Sequence, residues 1–97
     1  MLNSRQRAQL RGMANRFETI LQVGKGGIND NTVKQVRDAL EARELIKLSI
    51  LETCPTTVRE TADTLAEKTN SDVVQVIGNR FILYKESENN KTIKLVK

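Results

Sequence analysis

The residues best suited to chemistry lie in a glycine-rich turn, Val-Gly-Lys-Gly-Gly at positions 23–27. Glycine has no side chain to hold a ligand away, and it adopts backbone conformations closed to other residues. The pattern after the turn predicts a helix start, where unpaired N–H groups attract anions, and lysine adds a mobile positive charge. The turn is therefore typical of a site that phosphate groups approach closely, and its candidate residues are Gly24, Lys25, Gly26 and Gly27.

The spacing of these glycines excludes two well-known phosphate motifs. The mononucleotide P-loop requires G-x-x-x-x-G-K-[ST], and no such string occurs in the sequence. The dinucleotide fingerprint G-x-G-x-x-G begins correctly at Gly24 and Gly26 but has Asn29 at its third glycine position. The shorter G-x-x-G element remains, which in KH-type modules grips a nucleic-acid backbone. An ordinary tight turn is the competing interpretation.

Basic side chains are concentrated in the first third of the chain. Residues 1–37 carry seven basic side chains against two acidic ones, residues 38–72 carry four against eight, and residues 73–97 carry five against two. Such asymmetry concentrates positive potential on one side of a molecule, which attracts nucleic acid, although it also serves solubility. Arg7 and Arg11 stand one helical turn apart and close in sequence to the glycine turn, while Lys34 follows it. They are candidates for a wider surface that binds nucleic acid or another anionic partner, with a solvated helix face as the alternative.

The inventory of side chains does not favour an enzyme. The sequence has no histidine to act as a base near neutral pH, and its one cysteine, Cys54, has no histidine to activate it. The acidic residues predicted on one face of the third helix, Glu60, Asp63 and Glu67, are most simply a solvated surface. We therefore expect no catalytic activity, no cofactor, no metal site and no small-molecule substrate.

The order of predicted elements is α-β-α-β-α-β-β. Ser4 is the predicted N-cap of the first helix, whose inward residues would be Leu10, Met13, Ala14 and Phe17. Residues 19–23 and 44–51 have the apolar character of strands, and residues 73–77 and 81–84 predict two more, joined by a tight II′ turn at Gly78-Asn79. This order predicts an α/β (α+β) fold with helices packed on a four-stranded mixed sheet.

Local signals predict where the other two helices begin and end. Asn29 is placed to cap the second helix, along which Arg37 and Glu41 have the spacing of an i,i+4 ion pair. Thr57-x-x-Glu60 is a capping box for the third helix, and Asn70 is a suitable C-terminal stop.

The length of 97 residues predicts one compact domain over residues 1–97, with a polar and mobile tail from about residue 86. The pattern leaves open whether residues 92–96 add an edge strand. No apolar run approaches the roughly 20 residues that cross a bilayer, the first residues do not resemble a secretory signal, and a lone cysteine suits a reducing compartment. We therefore expect a cytoplasmic protein with no membrane partner.

Three segments in the same order resemble the CRM domain, and in particular the stand-alone bacterial YhbY family. They are Val-Gly-Lys-Gly-Gly-Ile-Asn at 23–29, Ala-Leu-Glu-Ala-Arg-Glu-Leu-Ile-Lys-Leu at 39–48 and Val-Val-Gln-Val-Ile-Gly-Asn-Arg-Phe-Ile-Leu-Tyr-Lys at 73–85. The resemblance implies a non-catalytic RNA-binding protein associated with precursors of the large ribosomal subunit. It also implies a fold similar to the C-terminal domain of bacterial translation initiation factor 3.

The resemblance also assigns residues to the RNA surface. The family's loop falls on residues 24–27 and its basic first-helix surface on Arg5, Arg7 and Arg11, with Asn79 and Arg80 at the hairpin as weaker candidates. The leading hypothesis is a protein that docks structured ribosomal RNA through the loop and these basic side chains. The alternative is an assembly factor whose acidic third helix contacts ribosomal proteins.

Overall fold

The computed structural model describes residues 2–96, which form three helices and four strands. In chain order these are α1 (Ser4–Ala14), β1 (Leu21–Val23), α2 (Asp30–Arg43), β2 (Leu45–Ile50), α3 (Val58–Thr69), β3 (Asp72–Ile77) and β4 (Arg80–Tyr84). The predicted element order and the α+β class are confirmed.

The four strands form one mixed sheet in the order β1-β2-β4-β3. β1 runs parallel to β2, while β4 is antiparallel to both of its neighbours. Successive side chains of a strand point to opposite faces, so the apolar residues of the strands supply two cores. α2 and α3 cover one face, and α1 covers part of the other.

The larger core lies between the sheet and the α2–α3 pair. Its buried members are Val23, Val36, Leu40, Ile46, Leu48, Ala62, Leu65, Ala66, Phe81 and Leu83. The smaller core lies beneath α1 and consists of Leu10, Ala14, Leu45, Val74, Ile82 and Tyr84. Sheet residues on both faces are therefore needed to hold the three helices in place.

Most predicted helix ends are observed. Asn29 accepts a hydrogen bond from the Thr32 N–H, the capping box of Thr57 and Glu60 is complete, and Asn70 adopts a left-handed conformation after α3. The predicted N-cap of α1 is wrong by one residue. Asn3, and not Ser4, caps this helix, because its side chain accepts from the Gln6 N–H while the Gln6 side chain accepts from the Asn3 N–H.

Two predicted core residues of α1 are wrong. Leu10 and Ala14 are fully buried, but Met13 is 36% exposed and Phe17 is 38% exposed. The helix ends at Ala14, so the helical spacing that placed Phe17 on the inner face no longer applies at that position. The exposed ring instead lies at the edge of the sheet.

The tail is docked, contrary to the prediction of a mobile segment. The carboxylate of Glu44, at the end of α2, is fully buried and accepts hydrogen bonds from the N–H groups of Ser87, Thr92 and Ile93. The Glu41 carboxylate accepts bonds from the Ser87 hydroxyl and from the next two N–H groups of the chain. Glu41 is thus engaged with the tail, which corrects the predicted pairing with Arg37. Residues 92–96 run alongside α1 without forming a strand.

Candidate nucleic-acid interface

Three connecting segments meet at one end of the sheet. The glycine loop, residues 24–27, follows β1, and Leu51 follows the parallel strand β2. The Leu51 N–H donates to the Val23 carbonyl at 2.9 Å, which holds these two strand exits side by side. The β3–β4 hairpin joins them, because the Ile50 N–H donates to the Asn79 carbonyl at 2.8 Å. The sheet thus brings the loop and the hairpin candidates Asn79 and Arg80 to the same end of the molecule.

The glycine loop is a tight turn with an exposed tip. The Gly27 N–H donates to the Gly24 carbonyl at 3.0 Å, while Lys25 and Gly26 between them are exposed. Neither the Lys25 nor the Gly26 N–H has an acceptor anywhere in residues 2–96. The tip therefore offers two free backbone donors beside a lysine ammonium group, which suits an anionic ligand.

The three glycines of the loop serve different purposes. Gly27 has φ +62°, and a Cβ there would lie 3.1 Å from Cγ of Pro55, so the fold itself requires glycine at this position. At Gly26 the φ is not in the left-handed region, and a Cβ would meet only an ordinary contact with Asn29 at 3.8 Å. A Cβ at Gly24 would lie 3.4 Å from the Leu51 side chain. The packing of the protein thus explains Gly27 but not Gly26.

The helix start beyond the loop is less electropositive than the sequence indicated. Asn29 already satisfies the Thr32 N–H, and Asp30 places a carboxylate in the first turn of α2. An acidic residue at this position offsets the partial positive charge of the helix end. Anion binding at this place consequently rests more on the loop tip than on the helix dipole.

Lys34 and Arg80 extend positive charge from the loop in two directions. Lys34 is exposed on the second turn of α2 and forms an i,i+4 ion pair with Asp38 at 3.5 Å. Exposed pairs of this kind are weak, so Lys34 can exchange its partner for a phosphate at little cost. Arg80 is exposed at the start of β4, next to the hairpin turn. Asn79 has a structural role as well, since its side chain donates to the Ile50 carbonyl at 3.2 Å.

The arginines of α1 are not gathered around the loop. α1 packs on the face opposite α2, and the Arg7 guanidinium donates to the carbonyl of Val73 near the start of β3. Val73 precedes Ile77, the last residue of β3 before the hairpin, by four residues. At roughly 3.3 Å per residue, this distance is about 13 Å. Arg5 and Arg11 are exposed. Sequence proximity suggested one shared patch, but the helix runs along the sheet and carries Arg5 and Arg7 to its far end.

Sequence reasoning missed Lys47 and Gln75, which lie on the α1 side of the sheet. With Asn15, Ile77 and Arg80 they line a small cavity of about 90 Å³ beyond the end of α1. The signal was present in β2, where Lys47 and Ser49 alternate with the apolar residues of the larger core. Polar residues at alternate positions of a central strand indicate a face that is not fully covered.

Cys54 lies directly behind the loop, one residue before the proline that packs on Gly27. Burial raises the pKa of the Cys54 thiol, but hydrogen bonds from the Thr56 backbone and from the hydroxyls of Thr56 and Thr61 outweigh burial and lower it. The thiol is half-buried within this hydrogen-bonded turn, which makes it part of the support of the loop.

Residues 2–96 contain no cluster of three or more acidic or cysteine side chains arranged to hold a metal ion. Within the same residues no helix is both long and apolar enough to cross a membrane.

Comparison with known proteins identifies the family and supports the fold. The sequence model of the CRS1 / YhbY (CRM) domain matches residues 2–85. The chain belongs to the CRM domain family. This confirms the family that the three sequence segments predicted, and the match includes the glycine loop, β2 and the hairpin.

Individual CRM relatives match over nearly their whole length. A Bacillus subtilis (strain 168) protein named "Probable RNA-binding protein YqeI" is 50% identical over 95 residues, which cover 98% of this chain and 99% of that protein. A Haemophilus influenzae protein named "RNA-binding protein" is 27% identical over 90 residues, covering 93% of this chain and 91% of the relative. The solution structure of the hypothetical protein SAV1595 from Staphylococcus aureus superposes with a TM-score of 0.82 at 47% identity, covering 99% of this chain and all of the other.

Proposed function

We propose that this chain is a non-catalytic RNA-binding protein that docks structured ribosomal RNA through the Gly24–Gly27 loop and takes part in large-subunit assembly. Two CRM relatives are named as RNA-binding proteins, and both align over most of this chain. The ribosomal target follows from the resemblance to the YhbY family. Cytoplasmic location is part of the same proposal.

The observation that carries the proposal is the glycine at position 26. It is exposed at the loop tip, its backbone conformation is open to other residues, and a Cβ there would meet no close contact. The two free N–H groups and Lys25 lie at the same tip. A sugar–phosphate backbone that rests on this tip would explain why no side chain is present, since Cβ would hold the phosphates away.

The charges around the tip support the same ligand. Lys25 is exposed at the tip, Lys34 lies on the next helix, and Arg80 lies at the adjoining hairpin. Together they frame the loop with positive charge, which positions a phosphate backbone without reading its sequence. Arg5 is exposed toward the far end of the sheet, and Arg11 is exposed in the last turn of α1, one turn before Asn15. They would contact RNA only if the bound molecule extended along α1.

Gly26→Asp tests the loop directly. The substitution fits the backbone and places a negative charge where phosphate is proposed, so we expect RNA binding to weaken by tenfold or more with the fold intact. Binding to large-subunit ribosomal RNA fragments is measured by filter retention, and folding is measured by urea denaturation. The pair of measurements separates loss of contact from loss of structure.

Gly12→Asp is the matched control for this experiment. Gly12 is exposed on α1 with nothing within 4 Å of a Cβ, so the same charge enters without a steric effect. We expect Gly12→Asp to bind nearly as the parent protein does. Equal weakening by both variants would show that net charge alone matters, and unchanged binding by Gly26→Asp would remove the loop from the mechanism.

The alternative function through the acidic face of α3 has weaker support. Glu60 is engaged in the capping box and Asp63 pairs with Arg59 at 3.2 Å, so both carboxylates already have local partners. Charge reversal at both positions should leave RNA binding unchanged. If that double variant instead loses association with ribosomal proteins while it keeps RNA binding, the alternative gains the support that it now lacks.

A further inference from the structure

The sheet face beneath α1 is only half covered. α1 packs on Leu45, Val74, Ile82 and Tyr84, toward the end of the sheet where the tail docks. The helix stops at Ala14, and the part of this face nearest the hairpin has no element over it. Asn15, at the end of α1, forms one wall of the cavity that opens there.

Strand register fixes which residues share this uncovered part. Gln22 of β1 pairs with Ser49 of β2, which pairs with Arg80 of β4, which pairs with Ile77 of β3. These four residues form one row straight across the sheet. Lys47 and Gln75 flank Ile82 in the next row and line the same cavity. We call the five residues of these rows that are neither beneath α1 nor buried the open face: Gln22, Lys47, Gln75, Ile77 and Arg80. Ser49, in the middle of the first row, is only 4% exposed.

The chemistry of the open face is polar and cationic. It contains two basic side chains, two amides and one apolar side chain, and none of its five members is acidic. Ile77 is 58% exposed, the most exposed of the large apolar side chains described. Next to Lys47 a second cavity of about 400 Å³ is bordered by Phe17, Ile20, Arg43 and one carboxylate, that of Glu18. Positive charge, amide donors and acceptors, and exposed apolar surface thus lie together.

The open face is continuous with the glycine loop. Gln22 precedes Gly24 by two residues, which is about 7 Å along an extended strand. Arg80 follows the hairpin whose carbonyl is bonded to the Ile50 N–H, beside the loop. A chain that leaves the loop tip therefore has only a short distance to cover to this row, at the end of the sheet where Glu52, two residues beyond β2, carries an exposed carboxylate.

Resting on the proposed function, we propose that the open face binds an unpaired RNA strand that continues from the helix docked on the loop. Lys47 and Arg80 would meet its phosphates, and Gln22 and Gln75 would bond to base edges, for which amides supply both donors and acceptors. The four strands lie side by side, so the sheet is about 14 Å wide from the first strand to the last. Four-stranded RNA-binding sheets in other proteins hold two or three bases. A duplex would present only its backbone to the open face, and the amides of Gln22 and Gln75 would then have no base edges to bond.

The test compares two RNA probes on the same protein. One probe is a blunt 12-base-pair RNA hairpin, and the other carries six added unpaired uridines, placed at the 5′ or the 3′ end in separate experiments. We expect one extension to increase affinity by at least about fivefold, the effect of about one net hydrogen bond to a base. Lys47→Gln combined with Arg80→Gln should abolish that increase, so that the extended and blunt probes bind this variant equally well. Because Arg80 also borders the glycine loop, the affinity for the blunt hairpin is compared with Lys47→Gln alone, which should leave it within about threefold. The double variant should also reduce the salt dependence for the extended probe by about 1.4 in slope, for two phosphates of a single strand.

Arg59→Gln combined with Lys68→Gln is the matched control. Both residues are exposed on α3, on the other side of the sheet, and the double variant removes the same two charges. We expect it to keep the full benefit of the extension. A readout independent of the variants is ultraviolet crosslinking of the uridines in the parent protein, which should label peptides of β2, β3 or β4.

Each outcome separates the two proposals. If the blunt hairpin binds and neither extension strengthens binding, or if the strengthening survives the open-face variant, the open-face proposal is overturned while the loop proposal stands. If only the extended probe binds and Gly26→Asp does not weaken its binding, the loop proposal fails instead. Binding of neither probe would overturn both.

Discussion

At the scale of single residues, the glycine loop combines a structural requirement at one glycine with a proposed functional one at another. Gly27 is needed because its φ of +62° and the nearby Pro55 ring leave no room for a side chain. Gly26, one residue earlier, faces no such constraint. The two adjacent glycines can therefore be distinguished by experiment, since substitution of Gly27 should affect stability and substitution of Gly26 should affect RNA binding.

Gly27→Ala should destabilise the fold by about 1–2 kcal/mol, the cost of placing an L-residue in the left-handed region. The added Cβ at 3.1 Å from Pro55 Cγ would increase this cost unless the ring moves. Gly26→Ala is the matched control and should stay within about 0.5 kcal/mol of the parent protein, as exposed substitutions usually do. Urea denaturation of both variants measures the difference. Equal stabilities would contradict the roles assigned to the two glycines.

Single residues also show which features of the structure the sequence could predict and which it could not. The glycine loop, the Asn29 cap and the Thr57 capping box were predictable because each is set by contacts within a few residues. The roles of Arg7 and Glu44 were not, because their partners, Val73 and the tail, lie far along the chain. No local pattern in the sequence indicates a long-range bond from a side chain to a distant backbone group.

At the scale of elements, the least expected feature is the attachment of the tail to the end of α2. Burial by itself raises the pKa of Glu44, but the N–H groups of Ile93, Ser87 and Thr92 outweigh burial and lower it. At Glu41, hydrogen bonds from Ser87, Glu88 and Asn89 lower the pKa from 4.5 to about 2. Ile93 and Leu95 then pack against the smaller core beside α1. The tail is thus part of what holds α1 on the sheet.

The Glu41 contribution should depend on pH in a defined direction. Because its pKa is 4.5 when unfolded and about 2 when folded, the carboxylate stabilises the fold fully above about pH 4.5, and this contribution is lost as pH falls toward 2. Glu41→Gln should therefore lower the free energy of unfolding at neutral pH, and the gap from the parent protein should narrow on acidification. Urea denaturation between pH 2.5 and 7 measures this difference in the free energy of unfolding between the parent protein and the variant. A gap that is constant or widens in acid would contradict the tail contacts.

At the scale of the whole molecule, the sheet sets the arrangement of charge. Its hairpin end gathers the loop lysine, Arg80 and Lys47, together with the carboxylates of Glu52 and Glu60, which follow β2. The two carboxylates that bind the tail lie at the end of α2. The element order and the mixed sheet could be predicted from the alternation of helices and strands. The half-covered face could not, because it depends on where α1 ends and on which strands pair.

The salt dependence of RNA binding should report on this arrangement. If the hairpin end neutralises about four phosphates, log affinity should fall with log salt concentration at a slope of roughly −3 to −4. Lys25→Gln should make the slope shallower by about 1, whereas Arg5→Gln, at the far end of the sheet, should leave it unchanged. Titrations at several salt concentrations measure both slopes. Equal changes for the two variants would show that RNA runs along α1 as well.

The bonds that join Val96 to Gln6 and Gln9 have a consequence for engineering this fold. They hold residues near both termini side by side, at 2.9 Å between the paired atoms. A few added residues would suffice to link those termini covalently, and new termini could then be opened at an exposed connection away from the proposed RNA surface. Circular permutation should therefore preserve the sheet, and a fluorescent reporter could be moved around the molecule without covering the glycine loop.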